Sequence, residues 1–229
     1  MKQKTLGIIG GLGPETSCKF CLNINLKVKS ETDVQPHILL DNLPISGESE
    51  NKLINGGISD EHLNLLKDSI VRIQNNVDFI VIPCNTVHIF IDQLRMISNV
   101  PIISIIEGTI NECKRLKLNK VGLLASTKTV KENLHGKELQ KEGISLIVPN
   151  NLDQSFISEC IVRIINQKIK NTDKKKLLEI MNKLVKQGAD GIILGCTDLP
   201  LLVNQLLLDV PLINTTEVLE NIAVKLITE

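Results

Sequence analysis

The chain has 229 residues, 42% of them hydrophobic and 23% charged, with 26 lysines and arginines against 26 aspartates and glutamates. That is enough apolar mass to bury a core in one large domain or two small ones, and the even charge excludes the basic face that nucleic acid or an anionic membrane surface requires. No uncharged apolar run approaches the roughly 18 residues of a membrane span.

Tryptophan and tyrosine are absent and phenylalanine occurs four times, which removes the stacking platforms of many sugar and single-strand sites. The start runs into a strand-like segment too soon for a signal peptide. The six cysteines are therefore expected to be reduced thiols in a cytoplasm rather than a disulfide scaffold.

Short apolar runs recur in chain order at Thr5–Ile9, His37–Leu40, Phe79–Ile82, Ile102–Ile106, Val121–Leu124, Leu146–Val148, Gly191–Leu194 and Leu212–Asn214. Amphipathic stretches such as Asp60–Asn75 and Lys174–Gln187 lie between them. Continuously apolar strands alternating with helices predict an α/β fold with parallel strands covered on both faces. The segment Asp41–Ile58, rich in Gly, Ser, Asn and Glu, is long for a connection and reads as a lid or binding loop.

An internal repeat divides the chain. Asp78-Phe-Ile-Val-Ile-Pro-Cys84-Asn-Thr matches Asp190-Gly-Ile-Ile-Leu-Gly-Cys196-Thr-Asp, the two cysteines standing 112 residues apart. Both segments continue through an apolar helix and end in Val-Pro, at Val100-Pro101 and Val210-Pro211. Thr5-Leu-Gly-Ile-Ile and Lys120-Val-Gly-Leu-Leu open the two halves. We expect two similar open-sheet lobes related by a pseudo-twofold axis, the first comprising residues 1–98 with 209–229 and the second 99–208.

Ligands bind beyond the carboxyl ends of strands in open parallel sheets, and Cys84 and Cys196 follow their strands directly. The pseudo-twofold then brings both thiols to one interlobe cleft. Such a pair suits inversion of a planar carbanion, which needs a base on one face and an acid on the other. Asn85, Thr86 and Thr197 read as helix N-caps, and a thiol at a helix N-terminus is expected to ionise below the free-cysteine value of roughly 8.5. Two buried core cysteines would be the bland alternative.

The motifs Gly10-Gly-Leu-Gly-Pro-Glu15, Pro83-Cys-Asn-Thr-Val-His88, Pro101-Ile-Ile-Ser-Ile-Ile-Glu107, Gly122-Leu-Leu-Ala-Ser-Thr127 and Leu194-Gly-Cys-Thr-Asp198 resemble the cofactor-independent aspartate/glutamate racemase family over essentially the whole chain. The resemblance implies a racemase without pyridoxal phosphate or metal, with Cys84 and Cys196 as the acid–base pair. It also implies that Asn85, Thr86, Thr127 and Thr197 hold the carboxylate and ammonium of a small-molecule amino-acid substrate, in a homodimer. The chain departs from the pattern where aspartate-handling members carry cations for the distal carboxylate: Glu48 aligns with an arginine and Ser155 with a lysine. Asp198 stands where the family has glutamate. Taken together these departures disfavour a dicarboxylate and favour a neutral or basic amino acid, unless a neighbouring cation such as Lys52 substitutes.

The remaining signals are weaker. Gly10, Gly11 and Gly13 lack the third glycine of a dinucleotide fingerprint, Thr16 standing in its place, so Gly11 is expected in a tight turn whose amides face the cleft. Cys18 and Cys21 have CxxC spacing on the first helix without a second pair to complete a zinc site, and Cys113 and Cys160 read as packing. His88, four residues after Cys84, shares its helix face and either tunes the thiolate or supports it. Rival readings are a hydantoin-racemase or maleate-isomerase type of superfamily enzyme, or a non-catalytic amino-acid-binding protein; the second cysteine counts against an arylmalonate-decarboxylase type.

Overall fold

The computed structural model describes residues 4–55, 57, 60–205 and 208–229. Two four-stranded parallel sheets form the frame. In the first, β1 (Leu6–Gly10), β2 (Ile38–Asn42), β3 (Phe79–Val81) and β4 (Ile102–Ile103) lie in the order β2-β1-β3-β4. In the second, β5 (Lys120–Leu124), β6 (Ser145–Ile147), β7 (Gly191–Leu194) and β8 (Leu212–Asn214) lie in the order β6-β5-β7-β8. All eight strand signals correspond to strands, and the two orders are identical.

The repeated residues have a backbone task. Asp78 Oδ2 accepts from Thr5 N–H at the mouth of β1, and Asp190 accepts from Asn119 and Lys120 N–H at the mouth of β5. Pro101 O accepts from Ile80 N–H and Pro211 O from Ile192 N–H. Each motif thus sets the register of its central strands, which need every ladder bond filled because water cannot reach them.

Ten helices are described: α1 (Pro14–Thr32), α2 (Gly47–Ile54), α3 (Asp60–Ile73), α4 (Ile91–Ile97), α5 (Ile105–Arg115), α6 (Thr127–Lys131), α7 (Leu134–Lys141), α8 (Asn151–Ile165), α9 (Asp173–Lys186) and α10 (Thr215–Thr228). Helix α10 packs on both α1 and α5, and Phe20, Ile24, Ile105, Leu219 and Ala223 of the three join strand residues of both sheets in one core. The outer faces bury α3 and α4 on the first sheet and α8 and α9 on the second. No described helix is long and apolar enough to cross a membrane.

The expected lobe boundaries shift. Ile80 pairs with Ile102 and Ile192 with Leu212, so β4 completes the first sheet and β8 the second, whereas boundaries at 98 and 208 would detach each from its own sheet. The Val-Pro units precede the last strand of a lobe rather than opening the next one. The crossover to the other lobe comes after them, through α5 and α10, capped by Ser104 and Asn214 side chains accepting from Glu107 N–H and from Thr216 and Glu217 N–H. The presumed loop 41–58 also carries structure: Ser46 caps the two-turn helix α2, and α2 reaches across to contact α6 and α8.

Candidate active site

The ends of β1, β3, β5 and β7 converge on a narrow interlobe cavity of about 30 Å³. Gly11, at φ +88°, turns the chain out of β1. A Cβ there would stand 2.5 Å from Leu43 O, so only glycine fits this contact. Leu12 lines the cavity behind it. Cys84, which follows β3, and Cys196, which follows β7, both line this one cavity, together with Asn85, Thr86, Thr197 and Asp198. Ser126, in the loop after β5, and Glu50 of α2 complete the polar part of the wall.

The local backbone differs from the helix N-termini expected. Residues Thr86–Phe90 and Leu199–Leu201 are short 3-10 turns, and neither Asn85 nor Asp198 at their starts makes a side-chain cap bond. The side chains are used across the cleft instead. Thr86 Oγ1 shares hydrogen bonds with Ser126 Oγ (2.9 Å) and Thr129 Oγ1 (3.0 Å), joining the lobes through buried hydroxyls. Thr215 donates its hydroxyl proton to Leu194 O and accepts from Asn85 Nδ2 at 3.0 Å. That orientation leaves Asn85 Oδ1 buried with no hydrogen-bond partner among the described residues. A buried acceptor left empty is costly, and a ligand ammonium is the natural donor to fill it.

The electrostatics reverse one expectation. Burial pushes the Cys84 thiol up to about 11, outweighing the backbone N–H groups of Val87 and Thr86 that favour its thiolate. Cys196 is raised well above the usual thiol value, first by burial and then by the nearby Asp198 carboxylate. An apolar surround disfavours the charged form of a thiol. Both groups are thus protonated thiols at neutral pH. Cys196 Sγ donates to Asp198 Oδ2 at 3.6 Å, and Asp198 Oδ1 accepts from Thr16 Oγ1 of the other lobe. Burial raises the Asp198 carboxyl as well.

His88 is a support rather than a partner of sulfur. Its Nε2 accepts from Ile105 N–H at 3.2 Å, which assigns the ring proton to Nδ1, and Nδ1 donates to Cys84 O at 2.8 Å. Burial lowers its pKa to about 4, so the ring is a neutral strut between the cysteine turn and α5.

Four expected substrate-binding residues lie outside the cavity lining, Gly11 among them, its N–H donating to Ser17 Oγ. Glu48 is on the exposed face of α2, with its side chain 79% accessible and paired to Lys52 at 2.7 Å. Neither Glu48 nor Lys52 lines the cavity. Ser155 is exposed on α8 and donates to Asn151 O. Thr127 Oγ1 shares a hydrogen bond with Ser158 Oγ, outside the cavity lining, while its neighbour Ser126 occupies the wall. The α2 residues that line the cavity are Glu50, Leu53 and Ile54. Helical spacing puts these three on one face; reading 47–54 as a loop hid that signal. The Ser126 position was legible in the repeat, because β5 is the counterpart of β1 and its exit loop the counterpart of the Gly11 turn.

No lysine, arginine or histidine lines the cavity among the described residues. No cluster of described His, Cys, Asp and Glu side chains is arranged to hold a metal ion. Cys18 is exposed and Cys21 half-buried on α1, while Cys113 and Cys160 are buried in the cores.

The family model for Asp/Glu/hydantoin racemase matches residues 9–223. The broad specificity amino-acid racemase RacX of Bacillus subtilis (strain 168) is 24% identical over 217 residues, 92% of each chain. A candidate Asp/Glu racemase of Yersinia pestis has a similar structure, with TM-score 0.86 and 27% identity over 99% of this chain and 100% of that one. An aspartate racemase homologue of Pyrococcus horikoshii OT3 shares the fold at TM-score 0.81 and 23% identity, over 99% and 100% of the two chains.

Proposed function

The chain belongs to the Asp/Glu/hydantoin racemase family and is an isomerase of the racemase type, and from that premise we propose that it inverts the α-carbon of a free amino acid with Cys84 and Cys196 as its acid–base pair. The observation that carries this reading is that both thiols, at matched positions in the duplication, line the same cavity. Asp198 accepts from Cys196 and takes its proton. The Cys196 thiolate then removes the α-proton from one face of the substrate, Cys84 S–H delivers a proton to the opposite face, and, as the product leaves, solvent takes up the Asp198 proton and re-protonates the Cys84 thiolate. In the reverse direction the two sulfurs exchange roles.

A thiol titrating near 11 resists ionisation at pH 7 by about 5 kcal/mol, four units at roughly 1.36 kcal/mol each. A substrate ammonium close to the thiols offsets part of that, since an opposite charge within hydrogen-bonding range favours the charged form. Asn85 Oδ1 accepts from the ammonium, and the Thr86, Ser126 and Thr197 hydroxyls serve the carboxylate. A thiolate formed in this apolar surround is a stronger base than one in water, which suits removal of a weakly acidic C–H proton. With no cation in the cavity wall among the described residues, the distal group is not a second carboxylate. No metal or pyridoxal phosphate enters this scheme. The catalytic unit is proposed to be a cytoplasmic homodimer; α1 carries an exposed apolar pair, Leu22 and Leu26, and light scattering would read the mass.

The test is proton NMR of a panel of L-amino acids in deuterium oxide with enzyme, followed by chiral chromatography. Loss of the Cα–H signal with appearance of the D-enantiomer is expected for at least one substrate. A Cys196→Ala enzyme that racemises at the wild-type rate overturns the two-thiol mechanism.

A further inference from the structure

The cavity wall joins two kinds of surface: the thiols, Asn85, Thr86 and Thr197 supply the reacting and polar groups, and Leu53 and Ile54 of α2 with Ile161 and Ile165 of α8 supply an aliphatic sleeve. Glu50, one turn before Leu53, lines the same cavity and its charge is felt at Cys84. Glu50 is half-buried and makes no ion pair or side-chain hydrogen bond among the described residues. Asp198, the other carboxylate in the wall, is already engaged by Thr16 and Cys196. Glu50 is thus the unengaged charge at the site, in a cavity whose second unpartnered group, Asn85 Oδ1, also asks for a donor.

We propose that Glu50 recognises the distal cation of the substrate, so that this chain racemises amino acids with a basic side chain, of the lysine, ornithine or arginine type. The proposal rests on the racemase reading above and names the substrate class for the same site. The methylene stem of such a side chain packs in the sleeve while its charged head reaches Glu50, the division that long basic side chains adopt wherever apolar and polar surface meet. A neutral aliphatic substrate fills the sleeve but covers Glu50 without supplying a partner, which is unfavourable for a carboxylate. An acidic substrate meets a like charge and no cation. Burial and the neighbouring Asp198 both raise the Glu50 carboxyl, a disadvantage that a bound cation reverses.

Calorimetric binding of L-lysine and L-norleucine to the full chain separates the charge from the stem, because norleucine lacks only the terminal ammonium group. Wild type should bind lysine about tenfold to a hundredfold more tightly, the span of one charge-assisted contact. The Glu50→Gln variant should collapse that ratio to near unity, and Glu48→Gln, on the outer face of α2, should leave it intact. Equal or reversed affinities in wild type, or a ratio that survives Glu50→Gln, overturn the proposal. If Glu50→Gln fails to fold, the wild-type ratio alone decides. Turnover is read separately by deuterium exchange at Cα: lysine binding without exchange overturns the racemase reading and leaves the Glu50 contact standing. Exchange on aspartate faster than on lysine overturns the substrate class and leaves racemisation standing.

Discussion

The ionisation of Cys84 can be followed directly by alkylation as pH is raised. The residue is 8% accessible, and its thiol is pushed up to about 11 from an ordinary value of 9.0. A two-unit rise corresponds to about 2.7 kcal/mol against the thiolate. At pH 8, about 0.1% of such a group is thiolate, against about 9% for an unperturbed thiol, a difference of about a hundredfold in reactive form. Iodoacetamide labelling resolved by peptide mass spectrometry reads each cysteine separately, with the exposed Cys18 as internal reference. The Cys84 rate should climb close to tenfold per pH unit up to about pH 10 without levelling off, in protein shown to remain folded by circular dichroism. A plateau centred below pH 9 would refute the conclusion that burial outweighs the Thr86 and Val87 amides and would restore an activated thiolate.

Further outcomes follow from the same geometry. A Cys196→Ser enzyme should lose racemisation by several orders of magnitude while retaining slow one-face deuterium exchange in NMR; undiminished inversion would place the second acid elsewhere. The Glu48→Arg variant should keep wild-type substrate preference in a racemisation panel, because that side chain lies outside the cavity; a gain on aspartate would contradict the placement of α2. Gly11→Ala, which drives a Cβ into Leu43 backbone at 2.5 Å from a residue at φ +88°, should cost at least about 2 kcal/mol in urea unfolding; a neutral result would show that the turn can shift. His135 is fully buried with neither ring nitrogen partnered among the described residues, and burial lowers its pKa to about 3 from 6.5. The unfolded chain takes up a proton there below pH 6.5 and the folded chain does not. The stability associated with the neutral ring is therefore complete above 6.5 and is lost as pH falls towards 3, by about 2 kcal/mol between pH 7 and 5. His135→Leu should lose about that much less than wild type in urea titrations at the two pH values; equal losses would show that the ring is protonated or solvated in the fold.

The sequence by itself determined the parallel α/β class, the eight strands and the duplication. These follow from local patterns: runs of Ile, Val and Leu long enough for a doubly covered strand, and a repeated Asp, Cys and Val-Pro frame whose acid and proline carbonyl fill ladder positions in both sheets. It also picked out Cys84 and Cys196, because a position directly after a strand in both halves must fall at the carboxyl edge of both sheets. Tertiary structure decided the rest. That β4 and β8 close their own sheets depends on a register of two and three residues, too short to announce its partner. That Glu50 rather than Glu48 faces the cleft depends on α2 being a helix docked against the other lobe. The protonation of the thiols was beyond any motif. Burial is a sum over residues from both lobes that no local pattern contains.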